Sequence, residues 1–284
     1  MKSGFVMLAG RSNVGKSTLL NTLIGTKVAI VTPKPQTTRH PIRGILHDKR
    51  GQIVFVDTPG VFLGRKDRVS KVLNEFVDDT LSGVDAVVYV MDPTRDMGPE
   101  EEHIQKMLRA TRVPVIAVIN KADLDLAKRP HQKTYEAADV NQVTTLNISA
   151  QSHKNLNLLV DALFDVLQEN EPHYPDLQLT DISHNQWLEE LVREKIFLNL
   201  EEEIPYSIKV QLEELEIRED GSRFLAMNIW TTEERYKKMI IGKGAEMLKR
   251  IGMAARHEIE DVVGCKVFLE LNVKVDPKWQ TRFV

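Results

Sequence analysis

The sequence predicts an α/β protein of two domains, in which a mostly parallel sheet is followed by a smaller α+β unit. Short apolar runs alternate with helix-like stretches up to about residue 170. Prolines then interrupt the pattern within residues 170–176, and a locally basic segment follows. We therefore predict a first domain over 1–172, a linker over 173–180 and a second domain over 181–284.

Composition sets the outer limits of function. The chain has 284 residues, of which 42% are hydrophobic and 28% charged, as is ordinary for a globular protein. Its net charge of −3 means that any surface for nucleic acid must be local. The single cysteine, Cys265, excludes an intrachain disulfide. No apolar run approaches bilayer length, and the apolar N-terminal stretch is needed as the first strand rather than as a signal peptide.

The first strand and helix enclose a phosphate-binding sequence. Phe5–Ala9 is typical of a buried strand, and Thr18–Ile24 has helical spacing. Between them, residues 10–17 match G-x-x-x-x-G-K-[ST] in full, with an incidental glycine turn as the alternative. Lys16 would reach the β- and γ-phosphates, and the Ser17 hydroxyl would bind Mg²⁺. The predicted nucleotide-binding residues here are Gly10, Arg11, Ser12, Asn13, Val14, Gly15, Lys16, Ser17 and Thr18.

Two further loops carry groups for the γ-phosphate and its metal ion. Asp57 and Gly60 follow the strand-like run 53–56, where a carboxylate can hold a Mg²⁺ water and a glycine N–H can meet the γ-phosphate. The proline-bearing loop 32–39 offers a threonine for the same metal; Thr38 is our choice and Thr37 the alternative. The predicted catalytic residues are Lys16, Thr38 and Gly60. The predicted metal-binding residues are Ser17, Thr38 and Asp57. The predicted nucleotide-binding residues also include Asp57, Thr58, Pro59, Gly60 and Val61.

The base-recognising sequence follows a later strand. The apolar run 113–119 leads into Asn120-Lys121-Ala122-Asp123. A carboxylate at Asp123 accepts from two guanine donors, whereas adenine leaves it unpaired. Asn120 would tie the base to the phosphate loop, the Lys121 stem can lie over the purine, and the N–H of Ala150 would meet the guanine carbonyl oxygen. A capped helix start is the alternative. The base-side residues are Asn120, Lys121, Asp123, Ser149 and Ala150.

The remaining elements follow from periodicity and turn residues. Strands are predicted at Ile42–His47, Val84–Asp92, Thr144–Ile148, Ser207–Arg218, Arg223–Thr231 and Lys266–Val275, and helices at Val69–Leu81, Pro99–Ala110, Asn155–Glu169, Asn185–Glu203 and Glu246–Val263.

A glycine-containing loop precedes the last helix. It lies in the basic segment, residues 237–256, which contains Lys237, Lys238, Lys243, Lys249, Arg250 and Arg256. The loop Gly242-Lys243-Gly244-Ala245 is close to G-x-x-G, which lets an RNA backbone approach without Cβ obstruction. Its fourth position is alanine, which departs from that pattern and restricts φ. A basic, solvated helix start is the alternative. The predicted RNA-binding residues are Lys237, Lys238, Ile241, Gly242, Lys243, Gly244, Ala245, Lys249 and Arg250.

Together these motifs resemble the translation-factor-related GTPases, and among them the Era family, over essentially the whole chain. The resemblance includes Asn13 and the run Gln36-Thr37-Thr38-Arg39-His40. It implies a P-loop NTPase domain followed by a type II KH domain. The activity it implies is a GTP/GDP switch that hydrolyses GTP with Mg²⁺. It also implies binding to the 3′ end of small-subunit (16S) ribosomal RNA and to the 30S precursor, a monomeric cytoplasmic protein, and peripheral contact with the inner face of the cell membrane.

Val61 occupies the position where many small GTPases place a water-orienting glutamine. We therefore expect slow intrinsic hydrolysis, with positioning supplied either by K⁺ held partly by Asn13 or by a ribosomal partner. Three other functions stay open: an RNA-binding module that uses hydrolysis as a timer, a tRNA-modification GTPase, and a membrane-surface protein. The KH-like C-terminal region argues against a tRNA-modification GTPase, because that class carries its chemistry in other domains.

Overall fold

The computed structural model describes residues 1–35, 37–39, 41–60 and 80–279. The chain divides into two compact units, with the boundary between Asp181 and Ile182. The described elements of the first unit are β1 (Lys2–Ala9), α1 (Lys16–Ile24), β2 (Ile42–Asp48), β3 (Gly51–Asp57), β4 (Ala86–Met91), α2 (Pro99–Ala110), β5 (Val115–Ile119), α3 (Gln132–Glu136), β6 (Thr144–Asn147) and α4 (Leu156–Val166).

The first unit is built on a six-stranded sheet in the order β2-β3-β1-β4-β5-β6. Only the β2–β3 pair is antiparallel, which confirms the predicted mostly parallel α/β sheet. Every residue of β3, β4 and β5 is buried, as expected for strands covered on both faces. The parallel register brings the carboxyl ends of β1, β3, β4 and β5 to one edge, where such sheets bind ligands.

Residues 173–180, predicted as a linker, lie in the first unit against β2 and β3. The side-chain oxygen of Gln52 accepts from the N–H groups of His173 and Tyr174, and the carbonyl of Leu179 accepts from Ile45 N–H at 2.9 Å. The strand edge thus satisfies the polar backbone of this proline-containing segment. That the first functional domain ends at residue 172 and the second begins at residue 181 remains our proposal.

The second unit has the α-β-β-α-α-β order of a type II KH fold, as the resemblance implied. Its sheet order is β7-β8-β9, with β7 antiparallel and β9 parallel to β8. One core joins the helices to one face of this sheet. The elements are α5 (His184–Asn199), β7 (Ile208–Ile217), β8 (Arg223–Thr231), α6 (Glu234–Ile241), α7 (Glu246–Val263) and β9 (Val267–Val275).

Two short helices, α3 and α6, were not predicted. Residues 234–241 carry three basic side chains and lie between a strand and a glycine loop, so only the fold shows their helical packing. The predicted helix Val69–Leu81 falls almost entirely outside the described residues. Among the helices that the structure describes, none combines the length and apolarity needed to cross a bilayer.

Candidate functional site

The phosphate loop is the turn between β1 and α1, and its neighbours leave no room for side chains at two positions. Gly15 precedes α1 in a left-handed conformation (φ 101°), and a Cβ there would lie 2.4 Å from Asn120 Nδ2. A Cβ at Gly10 would lie 2.5 Å from the Val90 carbonyl oxygen. The loop therefore closes tightly against neighbouring elements, as a backbone cradle for an anion requires.

Lys16 is buried across this loop. Its Nζ donates to the carbonyl oxygens of Gly10 at 3.0 Å and Arg11 at 2.8 Å. Burial lowers the pKa of Lys16 to about 8, although the nearby Asp57 carboxylate acts to raise it. A phosphate oxygen at this Nζ would favour the charged form and raise the pKa again.

This shift predicts that the affinity for GDP falls as the pH rises through about 8. Above that pH the free lysine loses its proton, whereas the phosphate-bound lysine keeps it, so binding must take up a proton. The Kd should rise by up to about tenfold per pH unit between pH 8 and 9. Calorimetric titrations check this, with Lys16→Met as the control that should bind weakly and show no such pH step. A wild-type pH profile identical to that of Lys16→Met would contradict the assignment.

The three predicted metal-binding side chains meet beside the phosphate loop. Ser17 Oγ donates to Asp57 Oδ2 at 2.6 Å, and Thr38 Oγ1 lies 3.2 Å from the former atom and 3.3 Å from the latter. Asp57 is fully buried, and its Oδ1 has no hydrogen-bond partner among the described residues. Burial raises the pKa of this carboxyl, against the opposing effect of Lys16. An unpartnered carboxylate oxygen beside two hydroxyls is a donor set that fits Mg²⁺.

The loop before β2 brings Thr38, rather than Thr37, to this cluster. The Thr37 hydroxyl lies 2.6 Å from Thr32 Oγ1. The Asn13 amide donates to the Pro33 carbonyl oxygen at 2.5 Å, which links the phosphate loop to this second loop. That Asn13 helps to hold K⁺ remains a prediction.

Asn120 joins the base-side loops to the phosphate loop. Its Nδ2 donates to the Val14 carbonyl at 2.9 Å, and its Oδ1 accepts from Ala150 N–H at 3.0 Å. The Ala150 N–H, predicted for the guanine carbonyl oxygen, thus donates to Asn120 because the two loops lie against each other. Asp123 accepts from Ser149 Oγ at 2.5 Å and is exposed at the cavity rim.

These loops enclose a cavity of about 600 Å³. Ile30, Val31 and Pro33 line it on one side and Leu124 on another. Val61 lies outside the described residues. The predicted residues that line the cavity are Ser12, Asn13, Gly15, Lys16, Ser17, Thr18, Thr38, Gly60, Asn120, Lys121, Asp123, Ser149 and Ala150. The other predicted ones, absent from that lining, are Gly10, Arg11, Val14, Asp57, Thr58 and Pro59.

Among the cavity residues that the sequence did not predict, two are charged. Asp92 is buried, and its Oδ2 accepts from Lys121 Nζ at 2.5 Å. Arg95 donates through Nη2 to the Ser12 carbonyl at 3.1 Å, and its side chain approaches Asp92. Asp92 directly follows β4, and Asp57 is the last residue of β3, so a position at the carboxyl end of a strand was the available signal. No comparable signal marked Arg95.

The second unit contains a groove of about 570 Å³ between α7 and β9. Leu248, Gly252 and Met253 line it from α7, and Leu269 and Leu271 line it from β9. Ala245, Lys249 and Arg256 add to the lining on the helix side. Glu270 on β9 lines it as well. The groove thus offers an apolar floor with two basic residues and one acidic residue at its margin, which suits unpaired bases and their phosphates.

Of the nine predicted RNA-binding residues, Ala245 and Lys249 line this groove. Ala245 is exposed and left-handed (φ 63°), a conformation that favours glycine, so the alanine keeps the glycine geometry at some backbone strain. A Cβ at Gly242 would lie 2.7 Å from the Met247 Cβ. The residues outside the groove lining are Lys237, Lys238, Ile241, Gly242, Lys243, Gly244 and Arg250.

Comparison with known proteins accounts for both units. A family described as 50S ribosome-binding GTPase matches residues 5–121, and the KH domain family matches residues 203–280. The GTPase Era of Halothermothrix orenii is 39% identical over 283 residues, which cover 99% of this chain and 95% of the relative. The GTPase Era of Thermoanaerobacter sp. is 40% identical over 98% of this chain and 93% of its own length.

Solved structures agree with this relationship. One is Era in complex with MgGDPNP and nucleotides 1506–1542 of 16S ribosomal RNA. Another is a variant of Aquifex aeolicus Era bound to GDP·AlF4⁻. Each has a TM-score of 0.91, is 36% identical, and matches over 99% of this chain and 96% of the solved chain. With similarity of this extent over both units, the chain belongs to the Era family of GTPases.

Proposed function

We propose that this protein is a GTP-hydrolysing switch that binds the 3′ end of small-subunit (16S) ribosomal RNA and acts in the assembly of the 30S subunit. The observation that carries the nucleotide half is the Asn120 bridge, which places Asp123 and the phosphate loop around one cavity. A base and a triphosphate can therefore be recognised together.

In this proposal the phosphate loop and Lys16 hold the β- and γ-phosphates, and Gly60 contributes its N–H to the γ-phosphate. A Cβ at Gly60 would lie 2.6 Å from Ser12 N, so the two loops approach by their backbones. Asp123 and Ser149 face the base edge. Asn120 acts mainly by positioning, because both of its side-chain polar atoms are bonded to the loops themselves.

Ser17, Thr38 and Asp57 would hold Mg²⁺, which neutralises charge on the phosphates when bound. The hydroxyl of Thr38 comes from the loop before β2, so metal and γ-phosphate would order that loop in the GTP state. We expect slow intrinsic turnover because Val61 cannot orient water, with K⁺ or a ribosomal partner supplying that positioning.

The KH-type groove supports the RNA half of the proposal. Its apolar floor and the basic residues Lys249 and Arg256 suit unpaired nucleotides, and Era in the solved complex is bound to nucleotides 1506–1542 of 16S ribosomal RNA. We infer a monomer that works in the cytoplasm, where ribosomal precursors are assembled. Peripheral contact with the inner face of the membrane is a further role open to the same basic segment.

Replacing Lys243 and Lys249 together by Ala should weaken binding to the 16S fragment by about tenfold or more. Two lost phosphate contacts should also reduce the slope of log K against log salt by about 1.4 for single-stranded RNA. Lys209→Ala with Lys274→Ala is the matched control, because it removes equal charge from β7 and β9 outside the groove lining. Fluorescence titration across salt concentrations, with GTP turnover followed in parallel, measures both effects. Equal salt slopes for the two double variants would remove RNA from this surface.

A further inference from the structure

One end of the KH-type groove carries two aromatic rings covered by two cations. The Arg218 guanidinium carbon lies 4.7 Å from the ring centre of Phe268 and 5.4 Å from that of Phe224. Lys266 Nζ lies 4.8 Å from the Phe268 ring centre. We call these four residues the cation–aromatic cluster.

The fold holds this cluster in place. Phe224 on β8 and Phe268 on β9 are direct partners in the parallel register, so their side chains lie on the same face of the sheet. Arg218 N–H donates to the Ser222 carbonyl at 2.9 Å, which closes the turn before β8. The Lys266 carbonyl accepts from Arg223 N–H at 2.9 Å. Hydrogen bonds of the backbone therefore fix all four positions.

The rings are not needed by the core of the unit. Leu225, next to Phe224, and Val267, next to Phe268, are buried and belong to the hydrophobic core, whereas Phe268 is 37% exposed. Adjacent residues of a strand point to opposite faces, so the two phenyl rings face away from the helices that form that core. An exposed ring beneath a guanidinium and an ammonium is a surface on which a base can stack and a phosphate can pair.

The cluster is continuous with the groove, because Phe224 and Phe268 belong to the groove lining together with Arg256. The buried Nε of Arg256 makes no hydrogen bond within the part of the chain that the structure describes, and it lies 3.8 Å from Glu260 Oε2. Arg256 therefore brings a positive charge to the groove that Glu260 partly balances. Arg256 lies eleven residues after Ala245 on α7, or about 16 Å along the helix axis. The glycine-loop end of the groove and the cluster are therefore separated by several nucleotides.

We propose that the cation–aromatic cluster binds one further unpaired nucleotide of the RNA, beyond those clamped beside the glycine loop. The base stacks on Phe268 in the place that one of the two cations takes in the free protein, and the charges of Arg218 and Lys266 then pair with its phosphate. This inference rests on the proposed RNA-binding function and adds a site to it. Because stacking tolerates all four bases, the added nucleotide contributes affinity more than sequence selectivity.

The test uses the full chain with Mg²⁺ and the GTP analogue GDPNP, as in the solved Era–RNA complex, and an RNA that corresponds to nucleotides 1506–1542, shortened one nucleotide at a time from either end. One shortening step should weaken binding to the wild type by about tenfold, which corresponds to about 1.4 kcal/mol. The same step should have little effect on Phe268→Leu or Lys266→Ala. Trp230→Leu and Lys274→Ala are matched controls, since this ring–lysine pair (5.3 Å) lies on the same sheet outside the groove lining.

A second measurement does not depend on the stability of any variant. In the wild type, an abasic nucleotide moved along the RNA should reproduce the tenfold loss at the same position. Uniform losses at every position, or a full step retained by Phe268→Leu, would overturn the inference and leave the proposed function standing. No binding of the uncut RNA would instead refute the proposed function. If Phe268→Leu weakens binding to phosphatidylglycerol vesicles and leaves RNA binding unchanged, the cluster contacts lipid and the inference is wrong.

Discussion

Replacement of Asp123 by Asn should transfer the preference of the pocket from guanine to xanthine nucleotides. The carboxylate is held by Ser149 Oγ at 2.5 Å, a contact that an asparagine carbonyl oxygen can keep. The new NH₂ group would then face the guanine N–H donors, whereas xanthine offers a carbonyl oxygen at the 2-position. Two lost hydrogen bonds at about 1–3 kcal/mol each predict a loss of GTP affinity of about 10²–10³-fold or more.

Competition binding of GTP and XTP measures this change directly. Asp125→Asn is the matched control, because Asp125 is exposed two positions later in the same loop and does not line the cavity. That control should bind GTP like the wild type. If Asp123→Asn keeps the wild-type ratio of GTP to XTP affinity, Asp123 does not read the base.

Replacement of Asp57 by Asn should slow GTP hydrolysis by about 10²–10³-fold. The buried Oδ1 of Asp57 has no partner among the described residues, and Oδ2 already accepts from the Ser17 hydroxyl. Asparagine would present an NH₂ group or a neutral oxygen where the site requires negative charge for a metal ion. The change also removes the cost of burying this carboxylate, so thermal stability without nucleotide should be equal to or higher than that of the wild type.

Single-turnover hydrolysis across a Mg²⁺ titration checks the assignment. The rate of the Asp57→Asn variant should stay low at saturating nucleotide, and its Mg²⁺ midpoint should shift to higher concentration. Asp48→Asn, a carboxylate on the neighbouring β2, is the control and should show the wild-type midpoint. An unchanged midpoint for Asp57→Asn would exclude this carboxylate from the metal site.

Local sequence signals were sufficient for elements with clear ends. α2 was predicted at its observed limits because Pro99 begins it at the first helical position, and α7 because Gly264 ends it in a left-handed conformation. The site motifs were found for a related reason. Asp57 ends the buried strand β3 and Asn120 directly follows the buried strand β5, so the parallel sheet brings them to one edge.

Contacts between distant segments could not be predicted in this way. Arg95 reaches the cavity through a hydrogen bond to Ser12, a residue 83 positions away, and no local pattern marks such a pair. The polar, proline-bearing composition around residues 170–176 predicts a linker over residues 173–180. Their backbone is instead satisfied by β2 and β3, which only the assembled sheet can provide.

The bridge made by Asn120 limits how the specificity of this pocket can change. The side-chain amide of Asn120 bonds to both the phosphate loop and the base-side loop. Replacing it therefore lowers the affinity for the triphosphate and the selectivity for guanine at the same time. A substitution at residue 123, on the exposed rim, can therefore change which nucleotide is bound and leave phosphate binding intact. A substitution at residue 120 cannot.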